Sequence, residues 1–198
     1  MRLAQIRREF GADVAIAWRS FLLRPDPQPK SLEKFRTYTQ SWKVPAGQPG
    51  AGRFRVWSTD EAPPSHSVPP GVAVKAAARQ LDEDGFERFH LALMDTYFYA
   101  NRNVTERQTL IDVATECGLD VETFTAALAD DSVEREVLAD HKEAVGLGIS
   151  GVPTVVVDGE WQIPGALDID FYRHLIAKRL ATMARLSTDA ERTSGGTE

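Results

Sequence analysis

The stretch GISGVPTVVVDGEWQIPGALD, residues 148–168, decides the fold of this chain. Residues 154–157 form a short β-branched run, which is the composition of a buried strand. Asp158-Gly159 is a preferred two-residue hairpin turn, and residues 161–163 return as a second strand. The stretch therefore predicts a β-hairpin.

Apolar spacing on either side of the hairpin places it within an α/β protein. Residues 1–10 show helical spacing, and this helix begins without a capping residue ahead of it. Apolar and other residues alternate over 13–19, which predicts a strand. A helical block follows over 31–145, and an amphipathic helix follows the hairpin. The order is helix, strand, helical block, hairpin and helix.

Composition excludes several classes of protein and of site. The 198 residues include 23 basic and 29 acidic ones, and the net charge of −6 argues against a nucleic-acid partner. The single cysteine excludes an internal disulfide, a Cys-rich zinc site and a two-cysteine redox motif within this sequence. Neither a membrane span nor a secretory signal is apparent, which predicts a cytoplasmic protein that does not bind membranes.

Three motifs carry a resemblance to a known family. Gly151-Val152-Pro153-Thr154, directly before a strand-turn-strand, resembles the thioredoxin superfamily. Together with AWRSFLLRP at 17–25 and IPGA at 163–166, it resembles the DsbA-like branch, and within that branch the cytoplasmic oxidoreductases of the FrnE type. The resemblance extends from residue 1 to 186.

The resemblance implies an α/β, thioredoxin-like (DsbA-type) fold with a large helical insertion and with its first strand missing. The thioredoxin-like domain is expected over 1–30 and 146–186, the helical insertion domain over 31–145, and a disordered tail over 187–198. In the family, the first strand and a Cys-x-x-Cys motif would lie ahead of Met1. Two accounts follow: a misassigned start codon, or a shortened relative that has lost the motif.

The implied function is that of a DsbA-family thiol–disulfide oxidoreductase that is redox-inactive as written. No catalytic residue, cofactor or metal site is expected within this chain. Val152, Pro153 and Thr154 are expected to bind substrate, with Pro153 in the cis form and Val152 pairing with an extended substrate backbone. The substrate is expected to be a protein or a small thiol or disulfide, with glutathione as one candidate.

Two alternative functions come from other classes. Relatives with this insertion include glutathione-dependent isomerases and kappa-class transferases, which often carry Ser in place of the first Cys. A non-catalytic module that holds peptides through its groove and the Pro153 loop is the other alternative.

Other chemistry-bearing residues are expected to have structural roles. Cys117 follows Leu110 and Ala114 on an apolar helix stripe, next to a helix-ending glycine, so it is expected to be a buried structural thiol. His90, His141 and His174 are expected to pack or to face solvent, because none forms an i, i+4 pair. His66 is expected to help order its proline-rich loop, with a functional role as the alternative.

Aromatic and basic residues suggest a binding surface, although packing or a solvated surface is the default for each. The aromatic residues that would line an apolar groove are Phe54, Trp57, Tyr97, Phe98 and Tyr99. The arginines that would bind an anion such as glutathione are Arg24, Arg53 and Arg55.

Overall fold

The computed structural model describes residues 2–48 and 51–194. The chain divides into two units. The terminal unit consists of residues 1–18 together with 153–198, and the helical unit consists of residues 19–152.

Helices make up most of the regular structure in the described part of the chain. None of these helices is both long and apolar enough to cross a membrane. The elements, in chain order, are α1 (Arg2–Phe10), α2 (Leu32–Thr39), α3 (Lys43–Ala46), α4 (Val68–Ala78), α5 (Glu83–Phe98), α6 (Arg107–Glu116), α7 (Val121–Ala127), α8 (Asp131–Gly146), β1 (Thr154–Val157), β2 (Trp161–Pro164) and α9 (Ile169–Ser194). Two 3-10 turns cover Gly11–Asp13 and Gln40–Trp42.

The unit boundaries differ from the expected domain boundaries. The terminal unit ends at residue 18 and resumes at 153, where the sequence analysis placed these limits at 30 and 146. Helix α9 continues to Ser194, so residues 187–194 of the expected disordered tail are helical. The remaining four residues lie outside the described part of the chain.

The predicted hairpin is present. Strands β1 and β2 pair antiparallel, with Thr154 opposite Pro164 and Val157 opposite Trp161. The connection has three residues rather than the predicted two, because this register leaves residues 158–160 between the strands. Asp158 (φ +52°) and Gly159 (φ +75°) both adopt the left-handed conformation that tight turns require.

The strand predicted over residues 13–19 is wrong. Within the described residues the sheet consists of β1 and β2, and the segment after the Gly11–Asp13 turn has no regular structure. Alternating apolar residues favour an extended chain, but a strand also needs a neighbour to bond its backbone N–H and C=O groups. The alternation of residues therefore favours an extended backbone, but it does not show whether a neighbouring strand is present.

In the terminal unit, α1 and α9 share a core with the hairpin. Ile6, Ile163 and Tyr172 are its buried residues. Outside this core, the Arg173 guanidinium binds the Glu9 carboxylate through two hydrogen bonds of 2.7 and 2.6 Å. This ion pair joins the two helices at the surface.

The Glu9–Arg173 pair is expected to weaken in acid. Hydrogen bonds from Arg173, and then from Gln5, lower the pKa of Glu9 from 4.5 to about 2. The pKa of Glu9 is lower in the folded state than in the unfolded state. The ion pair therefore stabilises the fold above the unfolded-state pKa, and this stabilisation is lost as the pH falls through the folded-state pKa. Glu9→Gln should therefore lower the urea midpoint at pH 7, and the difference from wild type should shrink between pH 4.5 and 2.

The matched control for this experiment is Glu160→Gln, which removes one exposed carboxylate from the same unit. Its urea midpoint should follow that of the wild type. A deficit of Glu9→Gln that stays constant from pH 7 to pH 2 would contradict the role of the ionised carboxylate.

Three buried clusters form the core of the helical unit. Helices α4 to α7 surround the largest, which contains Phe89 and Phe124. A second cluster seats Leu22 against α4 and α8. The third is aromatic and consists of Phe35, Trp42 and Trp57.

A buried carboxylate attaches the start of this unit to α8. Asp140 has only 5% of its surface exposed, and its Oδ2 lies 2.6 Å from the Lys75 Nζ of α4. The Ser20 N–H donates to the same oxygen at 2.9 Å, and Arg19 Nη1 lies 3.3 Å from Oδ1. Two cations and one backbone donor thus stabilise a charge that would be costly to bury alone.

Replacing Asp140 with Asn is expected to destabilise the fold strongly. The change leaves the Lys75 ammonium, which is mostly buried, without its counter-charge. The expected loss is about 3 kcal/mol in the free energy of unfolding, measured by urea denaturation. Glu143→Gln removes an exposed charge from the same helix and should cost little. Equal stability of the two variants would contradict the proposed importance of the buried carboxylate.

Candidate functional site

Residues 147–153 connect α8 to β1, and the candidate loop of residues 151–154 lies where this connection enters the strand. The chain passes from one unit to the other between Val152 and Pro153. Val152 is half exposed and Pro153 is exposed. The Pro153 carbonyl accepts a hydrogen bond of 2.8 Å from the Gly165 N–H, which continues the hairpin beyond its last strand pair. Thr154 is the first residue of β1 and lies opposite Pro164.

The only thiol of the sequence lies at a helix end. Cys117 is the C-terminal cap of α6 and packs, half-buried, against the cluster around Phe89 and Phe124. Burial raises the pKa of the Cys117 thiol, and the neighbouring Glu116 carboxylate raises it further. A thiol held neutral at the C-terminus of a helix is a poor nucleophile. Cys117 is thus less buried than expected, but its side chain packs against the core.

Cys117 is therefore expected to react slowly in the native state. At pH 7.5, alkylation by iodoacetamide should be several times slower in the folded chain than in the same chain in 8 M urea, because both burial and the raised pKa suppress the thiolate. In the native state, the pH at which the alkylation rate is half-maximal should be higher than 9. Native labelling as fast as that of the unfolded chain would show a reactive, accessible thiolate instead.

The three histidines of the helical unit have separate surroundings. The Nδ1 of His141 accepts from the Leu22 N–H at 3.3 Å, while its ring packs edge-on against Phe21. The His66 Nδ1 lies 2.9 Å from the Ser65 hydroxyl, and burial lowers the pKa of His90. Among residues 2–48 and 51–186, no three His, Cys, Asp or Glu side chains come together as metal ligands would.

A cavity of about 380 Å³ lies beside His66 in the helical unit. Its lining is largely proline and aliphatic, and the sequence reasoning did not predict it. Its polar lining residues are His66, Thr105, Arg107 and Glu134. Its apolar lining residues are Pro25, Pro27, Val68, Pro69, Val72, Leu110, Leu128 and Ala129.

Four of the five aromatic residues expected to line a groove belong to the aromatic core cluster instead, whereas the Tyr99 ring lies beside Arg53 and Arg55. Trp57 is 1% exposed, and its ring centroid lies 5.1 Å from that of Phe35 in an edge-to-face arrangement. Phe54, Tyr97 and Phe98 pack against the same cluster. Packing, the default interpretation, therefore describes these residues.

The three arginines singled out as anion-binding candidates have different surroundings. Arg53 forms an ion pair with Asp95, and the guanidinium groups of Arg53 and Arg55 lie 4.2 and 4.3 Å from the centroid of the Tyr99 ring. Arg24 differs from both, because its Nη1 is buried and has no hydrogen-bond partner in the described part of the chain.

Comparison with known proteins adds evidence from outside this chain. The family model of the DSBA-like thioredoxin domain matches residues 1–177. The ClpXP adapter protein SpxH of Bacillus subtilis (strain 168) is 25% identical over 148 residues, which are 71% of this chain and 49% of that protein. The chain thus spans about half the length of this curated relative.

Solved structures show the same fold. A suggested protein disulfide isomerase from Nitrosomonas europaea superimposes with a TM-score of 0.75 at 20% identity, over 91% of this chain and 89% of that one. The cytosolic disulfide reductase DsbM from Pseudomonas aeruginosa gives 0.62 at 22% identity, over 93% and 91%, and has also been solved with GSH. The predicted fold class, a thioredoxin-like (DsbA-type) α/β fold rich in helices, is confirmed.

Proposed function

Because the chain belongs to the family of the DSBA-like thioredoxin domain, we propose that it serves thiol–disulfide exchange, with a protein or a small thiol or disulfide as substrate. The observation that carries the proposal is the family match over residues 1–177, which includes the Val152-Pro153-Thr154 loop. The cytosolic DsbM, solved with GSH, supports glutathione as a candidate small thiol and the cytoplasm as the site of action.

The loop is suited to hold an extended substrate. Its Pro153 carbonyl is occupied by the Gly165 N–H, which anchors the loop to the hairpin, whereas Val152 is half exposed. An extended peptide that bonds to the Val152 backbone would lie alongside the start of β1, as in strand addition. In this proposal Pro153 is in the cis form and Thr154 contacts the substrate from the first position of the strand.

The exchange reaction needs a thiol that this sequence does not supply. A thiolate attacks one sulfur of a disulfide and forms a mixed disulfide, and a second thiol then displaces the first product. Cys117 is a single cysteine whose pKa is raised by burial, so it fits neither role. The proposal is therefore that the 198 residues alone are redox-inactive.

Insulin reduction tests this inactivity. The 198-residue chain with dithiothreitol should reduce insulin no faster than dithiothreitol alone, because no low-pKa thiolate is present. Cys117→Ser is the matched control and should give the same rate. Turnover by the wild-type chain that Cys117→Ser abolishes would contradict the proposal.

The codons that precede Met1 in the gene test whether a dithiol motif accompanies these residues. An in-frame strand pattern that ends in Cys-x-x-Cys would establish an oxidoreductase with a longer N-terminus. An in-frame stop codon close upstream would establish a redox-inactive relative. A Ser or a lone Cys at the motif position would favour a glutathione-dependent isomerase or transferase instead.

A non-catalytic peptide-binding role is the second candidate, and the likeness to SpxH favours it because that protein is a ClpXP adapter. The loop would then hold a peptide without exchanging disulfides. Labelled extended peptides should bind the folded chain in fluorescence anisotropy, and Val152→Pro should abolish binding because it removes the backbone N–H. Val152→Ala keeps that N–H and is the matched control.

A further inference from the structure

The cavity beside His66 has an apolar floor that belongs to the buried clusters of the helical unit. Val72 and Leu110 line it and are buried, and Val68 and Leu128 pack against the same clusters. Its volume of about 380 Å³ lies near the lower end of the range for small-molecule sites, which is about 300–1,000 Å³. The floor therefore suits the apolar part of a small ligand.

One wall of the cavity is the segment of residues 24–28, which contributes two prolines to the lining. Each proline ring fixes its own backbone φ angle. Backbone hydrogen bonds of 2.8 and 3.1 Å join the two ends of this segment to residues 65–67, which carry His66 on the neighbouring wall. The wall is therefore formed before any ligand arrives, and a preformed wall lowers the entropy that binding would otherwise cost.

Arg107 places a positive charge at the cavity. It is the first residue of α6, it is exposed, and it lines the cavity. Its Nη2 donates to the Thr125 carbonyl at 3.1 Å, which occupies one of the five guanidinium N–H donors. No carboxylate pairs with Arg107 among residues 2–48 and 51–186. The charge of Arg107 and its other donors can therefore meet a ligand.

Glu134 places a negative charge at the same cavity. It lies in the first turn of α8 and lines the cavity from an exposed position. Its carboxylate has neither a hydrogen bond nor an ion pair with the side chains that the structure describes, so it does not pair with Arg107. The cavity thus holds two opposite charges that do not bond to each other.

These two charges restrict the chemistry of the ligand. A simple anion bound to Arg107 would be repelled by Glu134, and a simple cation bound to Glu134 would be repelled by Arg107. A neutral ligand would shield both charges from water without giving either a partner, which is costly. A zwitterion supplies a carboxylate for one charge and an ammonium group for the other.

We propose that this cavity binds a small zwitterion with an apolar side chain, which is the chemistry of a free α-amino acid or a dipeptide. Its carboxylate bonds to Arg107, its ammonium group bonds to Glu134, and its side chain lies on the apolar floor. A guanidinium matches a carboxylate through paired hydrogen bonds. The lining residues all belong to the helical unit, and the proposal is independent of the proposed exchange function.

Four leucine derivatives test the proposal. Leucine and leucyl-leucine carry both charges, leucinamide lacks the carboxylate, and N-acetylleucine lacks the ammonium group. Binding to the full chain is measured by calorimetry at constant ionic strength and at about pH 6.5, where α-amino groups are protonated. At least one of the two zwitterions should bind about fivefold or more tightly than either singly charged derivative. Tighter binding of leucine indicates a free amino acid, and tighter binding of leucyl-leucine a peptide.

Two variants assign each charge to its partner. Arg107→Met should weaken binding of the preferred zwitterion by about fivefold or more, but it should not weaken binding of leucinamide, which has no carboxylate. Glu134→Gln should likewise weaken binding of the zwitterion but not of N-acetylleucine, which has no ammonium group. A purely structural role of either residue would weaken binding of all four derivatives alike.

The matched controls remove the same two charges from exposed positions of α8 that do not line the cavity. Arg135→Met and Glu143→Gln should bind the zwitterion like the wild type. Ala129→Phe fills the cavity from an exposed lining position and changes no charge. This variant should abolish binding of all four derivatives.

Three results would overturn the proposal. These are no saturable binding of either zwitterion, equal affinity of the wild type for all four derivatives, and wild-type affinity for the zwitterion in both Arg107→Met and Glu134→Gln. Both residues are exposed, so their replacement leaves the core intact and the binding measurements decide.

Discussion

The buried carboxylate of Asp140 is the contact on which the start of the helical unit depends. A charge in that position is tolerated only with close counter-charges and donors, and the fold supplies the Lys75 ammonium and the Ser20 N–H. The next residue of α8, His141, accepts the Leu22 N–H, so two consecutive side chains hold the incoming segment. Leu22 is thereby seated in its apolar cluster, and the loop that carries Arg24 begins from a fixed point.

The terminal unit depends on a hairpin rather than on a broad sheet. Strands β1 and β2 bond to each other and cover a core shared with α1 and α9. A two-stranded sheet is marginal in water unless helices cover it, and here they do. The candidate substrate loop leads directly into β1. The pairing of β1 with β2 therefore also fixes the position at which this loop ends.

The charged groups of the helical unit differ in whether the fold supplies acceptors for all of their donor atoms. Arg53 has Asp95 and the Tyr99 ring, and Arg102 has Asp112, so these guanidinium groups are used within the fold. Arg24 shows the opposite arrangement, with a buried nitrogen that has no acceptor in the described residues. The single thiol belongs with the structural groups, since it caps a helix and packs on the core.

Sequence alone determined the features that depend on neighbouring residues. Asp158-Gly159 turns the hairpin, and the motifs around Pro153 predicted the DsbA-type fold. Only the tertiary structure decided the features that depend on distant partners. Residues 13–19 alternate like a strand but have no strand beside them in the described residues, and Arg24 and Arg53 look alike until the fold brings a carboxylate to only one. The physical reason is that a local pattern sets conformation and burial, whereas hydrogen bonds and ion pairs need a second group that only folding brings near.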